Sequence, residues 1–193
     1  YRWADDASHG LALAQSFVGG KIANARAVLQ RELRNHPDNA QRLQVEAVIE
    51  HLGSSVRHIA RAPDVATIRG IEGDAAASYF SVFNSLIRST GFVFDGRVRR
   101  PATDPVNALM SFLYSLITSE CSSALQSIGL DPQVGFLHTD RPGRLSLALD
   151  MLEEFRAAIA DRLVLTLINR KQILPSDFVT EASGAIRLKR SEE

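Results

Sequence analysis

Apolar residues recur at helical spacing over most of the chain. Across about 6–34, Leu11, Ala14, Phe17, Ile22, Ala25, Leu29 and Leu33 form one stripe, the mark of a helix with a single buried side. Gly19-Gly20 interrupts the stripe and predicts a bend or a split. His36-Pro37 ends this helix, Asp38 or Asn39 caps a second running to Ala60, and Pro63 closes it. Asp64 then caps a third helix over 64–88.

The pattern changes twice more. Residues 89–103, with Gly91, Gly96, Pro101, Arg97, Arg99 and Arg100, predict a basic loop. Asp104-Pro105 is a strong helix start, an acid at the cap followed by proline at the first helical position. The helix from there to Ile128 carries Val106, Leu109, Met110, Phe112, Leu113, Tyr114, Leu116 and Ile117. Apolar on nearly every side, it reads as the central helix. A loop with Gly129, Asp131-Pro132 and Gly135 bears His138 and leads, through Arg141-Pro142-Gly143, into a helix over 145–169. Leu145, Ala148, Leu149, Leu152, Ile159 and Leu163 define its buried face. Residues 178–180 and 185–188 flank Ser183-Gly184 and predict a small β-hairpin. The expected architecture is all-α: one helical domain over 1–193 with a minor C-terminal hairpin.

Composition narrows the class. Hydrophobic residues make up 45% of the chain, enough for a sizeable core. Lys and Arg equal Asp and Glu at 22 each, so any nucleic-acid site must rest on local basic clusters rather than on net charge. The one cysteine, Cys121, excludes an internal disulfide framework, fits a reducing, cytoplasmic setting, and reads as a small core residue. Neither a secretory leader nor a membrane-length apolar run is present. The opening Tyr1-Arg2-Trp3 lacks Met, as expected of a piece of a longer protein.

Candidate chemistry lies in the carboxylates. With Ile68 as zero on the helical wheel, Ala75, Tyr79, Val82, Phe83 and Leu86 fall within about 60° and Glu72 at about 40°, inside the apolar stripe. Asp74 falls at about 240°, on the outer side. An unpaired carboxylate in such a stripe costs several kcal/mol, so Glu72 needs an arginine, a proton or a metal. In the last helix, Asp150 and Glu154 point away from the apolar face and read as solvated. Glu153 sits at about 100° from its centre, at the margin. His138 alone reads as a surface or hydrogen-bonded histidine. Glu72, His138 and Glu153 together form an oxygen and nitrogen donor set suited to Mg²⁺ or Mn²⁺.

The run Arg69-Gly70-Ile71-Glu72-Gly73-Asp74-Ala75-Ala76-Ala77-Ser78-Tyr79-Phe80 resembles the first signature of the CRISPR-associated spacer-acquisition integrase, the first-numbered Cas protein. Arg99-Arg100-Pro101 with Asp104-Pro105-Val106-Asn107-Ala108-Leu109 resembles the second. Gly135-Phe136-Leu137-His138 followed by Ser146-Leu147-Ala148-Leu149-Asp150-Met151-Leu152-Glu153-Glu154-Phe155-Arg156 resembles the third, in wording similar to type I-C versions. The blocks keep the family's order and spacing over nearly the whole chain.

The resemblance implies a metal-dependent DNA integrase and endonuclease. A 3′ hydroxyl of new spacer DNA attacks a phosphodiester at the edge of a CRISPR repeat, with Glu72, His138 and Glu153 as catalytic metal ligands. It implies Arg69, Arg141 and Arg156 near DNA phosphates, double-stranded DNA as substrate, and the small second-numbered Cas protein as bridging partner. Family members also form homodimers, largely through a small N-terminal β-sandwich domain that is absent from this sequence. Arg97, Arg99 and Arg100 serve either as loop braces or as DNA contacts, and Arg187, Lys189 and Arg190 read as a solvated end. Two rivals remain: a related transposon integrase, and a non-catalytic helical DNA-binding module whose acids form structural ion pairs.

Overall fold

The computed structural model describes residues 6–98, 100–139 and 141–189; Arg99 and Arg190 lie outside them. Six α-helices follow in chain order: α1 (Ala7–Asn35), α2 (Arg42–Ile59), α3 (Val65–Ser81), α4 (Pro105–Ser127), α5 (Ser146–Phe155) and α6 (Arg162–Asn169). A 3₁₀ turn, Phe83–Leu86, extends α3, and a π-helical segment, Arg156–Asp161, joins α5 to α6. Strands β1 (Phe178–Thr180) and β2 (Ile186–Leu188) pair antiparallel, Phe178 opposite Leu188. The fold is thus helical with one small hairpin.

Local chemistry sets several boundaries. The carboxylate of Asp6 accepts from Ser8 N at 2.9 Å, that of Asp64 from Thr67 N at 2.7 Å, and that of Asp104 from Asn107 N at 2.8 Å, capping α1, α3 and α4. The second helix begins later than a cap at Asp38 or Asn39 predicts. Asn39 forms a turn, its Oδ1 accepting from Gln41 N at 2.8 Å and its Nδ2 donating to Ser85 O, and α2 starts at Arg42. The third helix ends earlier, at Ser81. There Ser81 Oγ donates to Ser78 O and Ser85 Oγ to Val82 O, bonds that favour a tightened turn over a continued helix. The predicted apolar stripe survives this change, with Ile68, Ala75, Tyr79, Val82, Phe83 and Leu86 all buried.

The central helix is α1, not α4. It packs closely against α2, α3, α5 and the π segment, whereas α4 lies mainly against α5 and β2, touches the π segment and α6 more lightly, and leaves Phe112 and Leu116 about half exposed. Its serines and threonine at 111, 115, 118, 119, 122 and 123 open that helix to a surface groove. Gly19-Gly20 does not break α1. A Cβ on Gly20 would lie 3.1 Å from Cγ and Oε1 of Glu154, so its missing side chain lets α5 approach. Asn24 Nδ2 donates to Glu154 O at 2.9 Å and ties the two helices together.

The last long helix also departs from expectation. Ile159 and Leu163 are 48% and 39% exposed, while Ala160, Asp161, Val164 and Ile168 are buried. A π turn carries an extra residue, so the buried face shifts in phase after Arg156.

Candidate functional site

On α3, Glu72 is half-buried and Asp74 points outward to His51, whose Nε2 lies 2.8 Å from Asp74 Oδ2. The inward carboxylate finds its partner on α1: Lys21 Nζ donates to Glu72 Oε1 and lies 2.6 Å from Glu153 Oε2 on α5. Lys21 escaped sequence analysis because it comes from another helix. Its one local sign was the Gly19-Gly20 pair preceding it, which marks a close helix contact.

His138 is set by a loop folded over α5. Leu147 N donates to Pro132 O at 2.9 Å and anchors the loop's start. At Gly135 a Cβ would stand 2.6 Å from Ser146 Cβ and 2.9 Å from His138 O, so only glycine fits. Asp150 is fully buried beneath this loop. Its Oδ2 accepts from Phe136 N at 2.6 Å and Leu137 N at 2.9 Å; its Oδ1 accepts from His138 N at 2.9 Å and pairs with His138 Nδ1 at 2.6 Å. The wheel placed Asp150 in solvent; the loop covers that face and supplies its donors. Glu154, also expected in solvent, is half-buried against Gly20.

Arg69 fastens the same loop to α3. Its guanidinium donates to Leu137 O and to Thr139 Oγ1, the latter at 3.2 Å. With Nδ1 engaged by Asp150, His138 turns Nε2 toward Glu153 Oε1, 3.9 Å away. Glu153 is 3% exposed and also meets Arg156 at 3.1 Å. Burial pushes its carboxyl upward, but Lys21 and then Arg156 hold it below the usual range. Its Oε2 faces Lys21 Nζ in a short charged contact of 2.6 Å.

Behind this cluster lies a buried polar group. Tyr114 OH donates to Asp161 Oδ1 at 2.6 Å, Arg156 stacks over the Tyr114 ring at 4.7 Å, and Arg97 stands over the same ring at 5.3 Å. Burial lifts the Asp161 carboxyl to about 6, with Tyr114 and Arg156 opposing the shift. In front of the cluster, a groove of about 1020 Å³ reaches His138 and is lined by Arg97, Arg100, Arg141, Arg144, Arg156 and the hydroxyl side of α4. Arg141 and Arg100 are exposed, whereas the Arg156 side chain is only 15% exposed. Arg97 braces the loop, donating to Asn107 Oδ1 at 2.7 Å and Ser111 Oγ at 3.1 Å. Arg187 pairs with Glu181 at the exposed hairpin.

The donor set suits a hard divalent cation: two carboxylates already drawn to one positive charge, and an imidazole whose Nε2 is left to face them. Among the described residues no three His, Cys, Asp or Glu side chains are yet placed to share an ion. The Lys21 ammonium takes the position between Glu72 and Glu153.

The family model for the CRISPR associated protein Cas1 matches residues 1–193. The chain belongs to the Cas1 family. This Cas1 chain is 52% identical over 191 residues to a CRISPR-associated endonuclease Cas1 of Chlorobaculum tepidum, covering 98% of itself and 56% of that relative. It is 47% identical over 178 residues to one from Leptospira interrogans, covering 91% of itself and 69% of that relative. Among solved structures it is similar to a casposase bound to integration product (TM-score 0.84, 29% identity, 98% of this chain and 51% of that one). It is also similar to a Cas6-RT-Cas1–Cas2 complex (TM-score 0.85, 29% identity, 97% of this chain and 20% of that one). The chain spans about half the length of several curated relatives it matches. No helix among the described residues is long and apolar enough to cross a membrane.

Proposed function

We infer that this chain carries the metal-dependent strand-joining centre of a CRISPR adaptation integrase. The observation that carries this reading is that Glu72 and Glu153 meet at Lys21 while His138 turns Nε2 toward Glu153 from a groove lined by arginines and hydroxyls. Glu72 and Glu153 supply carboxylate oxygens and His138 supplies Nε2. A divalent metal held there would lower the pKa of an attacking 3′ hydroxyl and stabilise charge at the phosphorus.

The rest is done by the chain itself. Asp150 fixes the His138 ring and its tautomer. Arg69 holds the His138 loop against α3, and Arg156 holds Glu153. Arg141, exposed on the groove wall, is suited to a DNA phosphate, with Arg69 and Arg156 adding positive charge. Contacts from such side chains to phosphates would position DNA without reading its sequence.

Double-stranded DNA and the second-numbered Cas protein are the partners this reading requires. Its support is the likeness to a casposase bound to integration product and to a complex containing Cas2. The wording of the third signature favours a type I-C system. The likeness to a casposase keeps a transposon-type substrate as the second reading; the family match over 1–193 favours the CRISPR repeat.

The test is joining of a 3′-hydroxyl oligonucleotide to a repeat-containing duplex with Mn²⁺, scored beside a duplex with transposon ends. Glu72→Gln and His138→Ala are expected to abolish joining while folding survives. Normal joining by both variants would remove the site assignment, and preference for the transposon ends would select the second reading.

A further inference from the structure

Lys21 stands where two carboxylates from different helices meet. Its side chain is 13% exposed, against 23% for Glu72 and 4% for Glu153. Glu72 and Glu153 already face two cations, Lys21 and Arg156, while Asp150 is engaged by the His138 loop. A divalent cation would therefore meet carboxylates that already face cations, and the cation standing between them opposes its entry.

The two cations differ in freedom. Arg156 is stacked on Tyr114 at 4.7 Å and pinned by Glu153 at 3.1 Å. Lys21 is a compact point charge on a flexible four-carbon stem, with an opening to solvent. Its backbone cannot retreat with it. The close approach at Gly20 and the bond from Asn24 to Glu154 hold α1 against α5. Movement must come from the side chain alone.

We propose that Lys21 is a positioning residue that acts as a built-in substitute cation, holding Glu72 and Glu153 together without metal and competing with the metal for them. The inference rests on the metal reading above. Without Lys21, the two carboxylates would repel across the α1–α3–α5 junction. With it, the ligand pair is kept together before any ion arrives, and the apparent metal affinity is lowered by the displacement.

The experiment is Mn²⁺ titration calorimetry on the 193-residue chain, comparing wild type, Lys21→Met, Lys21→Arg and His138→Ala, with thermal melting of each at zero and saturating Mn²⁺. Lys21→Met removes the charge and keeps the reach. It is expected to bind Mn²⁺ about tenfold tighter than wild type, the scale of one displaced partly buried ion pair. It is also expected to melt lower without metal and to gain more on Mn²⁺ addition. Lys21→Arg, still cationic, is expected not to gain affinity. Equal or weaker binding by Lys21→Met, while wild-type binding depends on His138, would overturn the role of Lys21 alone. Absence of any His138-dependent Mn²⁺ binding in both wild type and Lys21→Met would overturn the metal reading and this proposal with it. Lys21→Gln, neutral and still a donor, replaces Lys21→Met if that variant does not fold, and the same results decide.

Discussion

Asp150 offers the sharpest test of how the site is built. Its buried carboxylate collects three backbone N–H groups and the His138 ring, at 2.6–2.9 Å. Asp150→Ala removes all four acceptor contacts at once. A hydrogen bond to a charged group contributes about 1.5–3 kcal/mol. The N–H groups of Phe136 and His138 sit in half-buried residues and can recover water, whereas Leu137 N is buried and stays unpaired. Relief of a buried charge offsets part of the loss. The net cost is then about 3–5 kcal/mol, which lowers the melting temperature of a chain this size by about 6–20 °C. Asp150→Asn keeps one acceptor oxygen but turns an NH₂ toward a donor, and is expected to cost about half as much. Calorimetric melting measures the stability, and ¹⁵N shifts of His138 report its tautomer. Metal affinity in Asp150→Asn is expected to fall about 10–100-fold, as for other carboxylate partners of ligand histidines. If Asp150→Ala melts within about 2 °C of wild type, below one kcal/mol, the carboxylate does not hold the loop and this account of the His138 position fails.

Three other results are expected. Asp161 is raised from 3.8 to about 6 by burial, so its contribution to stability is full at low pH and is lost as pH rises through about 6. Between pH 5 and pH 8 this costs wild type about 1.4 kcal/mol, the earlier part of the loss falling between pH 4 and pH 5, and urea melts of Asp161→Asn are expected to lack that component of the pH dependence. Gly135→Ala drives a methyl to 2.6 Å from Ser146 Cβ and is expected to cost about 1–3 kcal/mol while shifting the His138 resonances. Unchanged spectra would mean that the loop has room the geometry denies it. Ile168→Ala, at a buried position, is expected to cost about 2–5 kcal/mol, and Ile159→Ala, half exposed, under about 1 kcal/mol. The reverse order would contradict the phase shift at the π segment.

The helix starts at Asp64 and Asp104-Pro105 were legible in the sequence because a cap is a contact between neighbours in the chain. Glu72 inside and Asp74 outside were legible because α3 is a straight helix whose periodicity reports one face. The family, and with it the candidate ligands, was legible from three ordered blocks of residues. Where periodicity was extended through a non-α turn it misplaced Ile159 and Leu163, since nothing local announces the π segment at Arg156–Asp161. Asp150 was read as solvated because a wheel shows one helix and knows nothing of a loop laid over it. Lys21 and Gly20 mattered only once α1, α3 and α5 were packed together. Contacts within a turn of chain follow from the residues themselves. Contacts across 51 or 130 positions, such as Lys21 with Glu72 and Asn24 with Glu154, depend on which faces win burial, and that is decided by the whole fold at once.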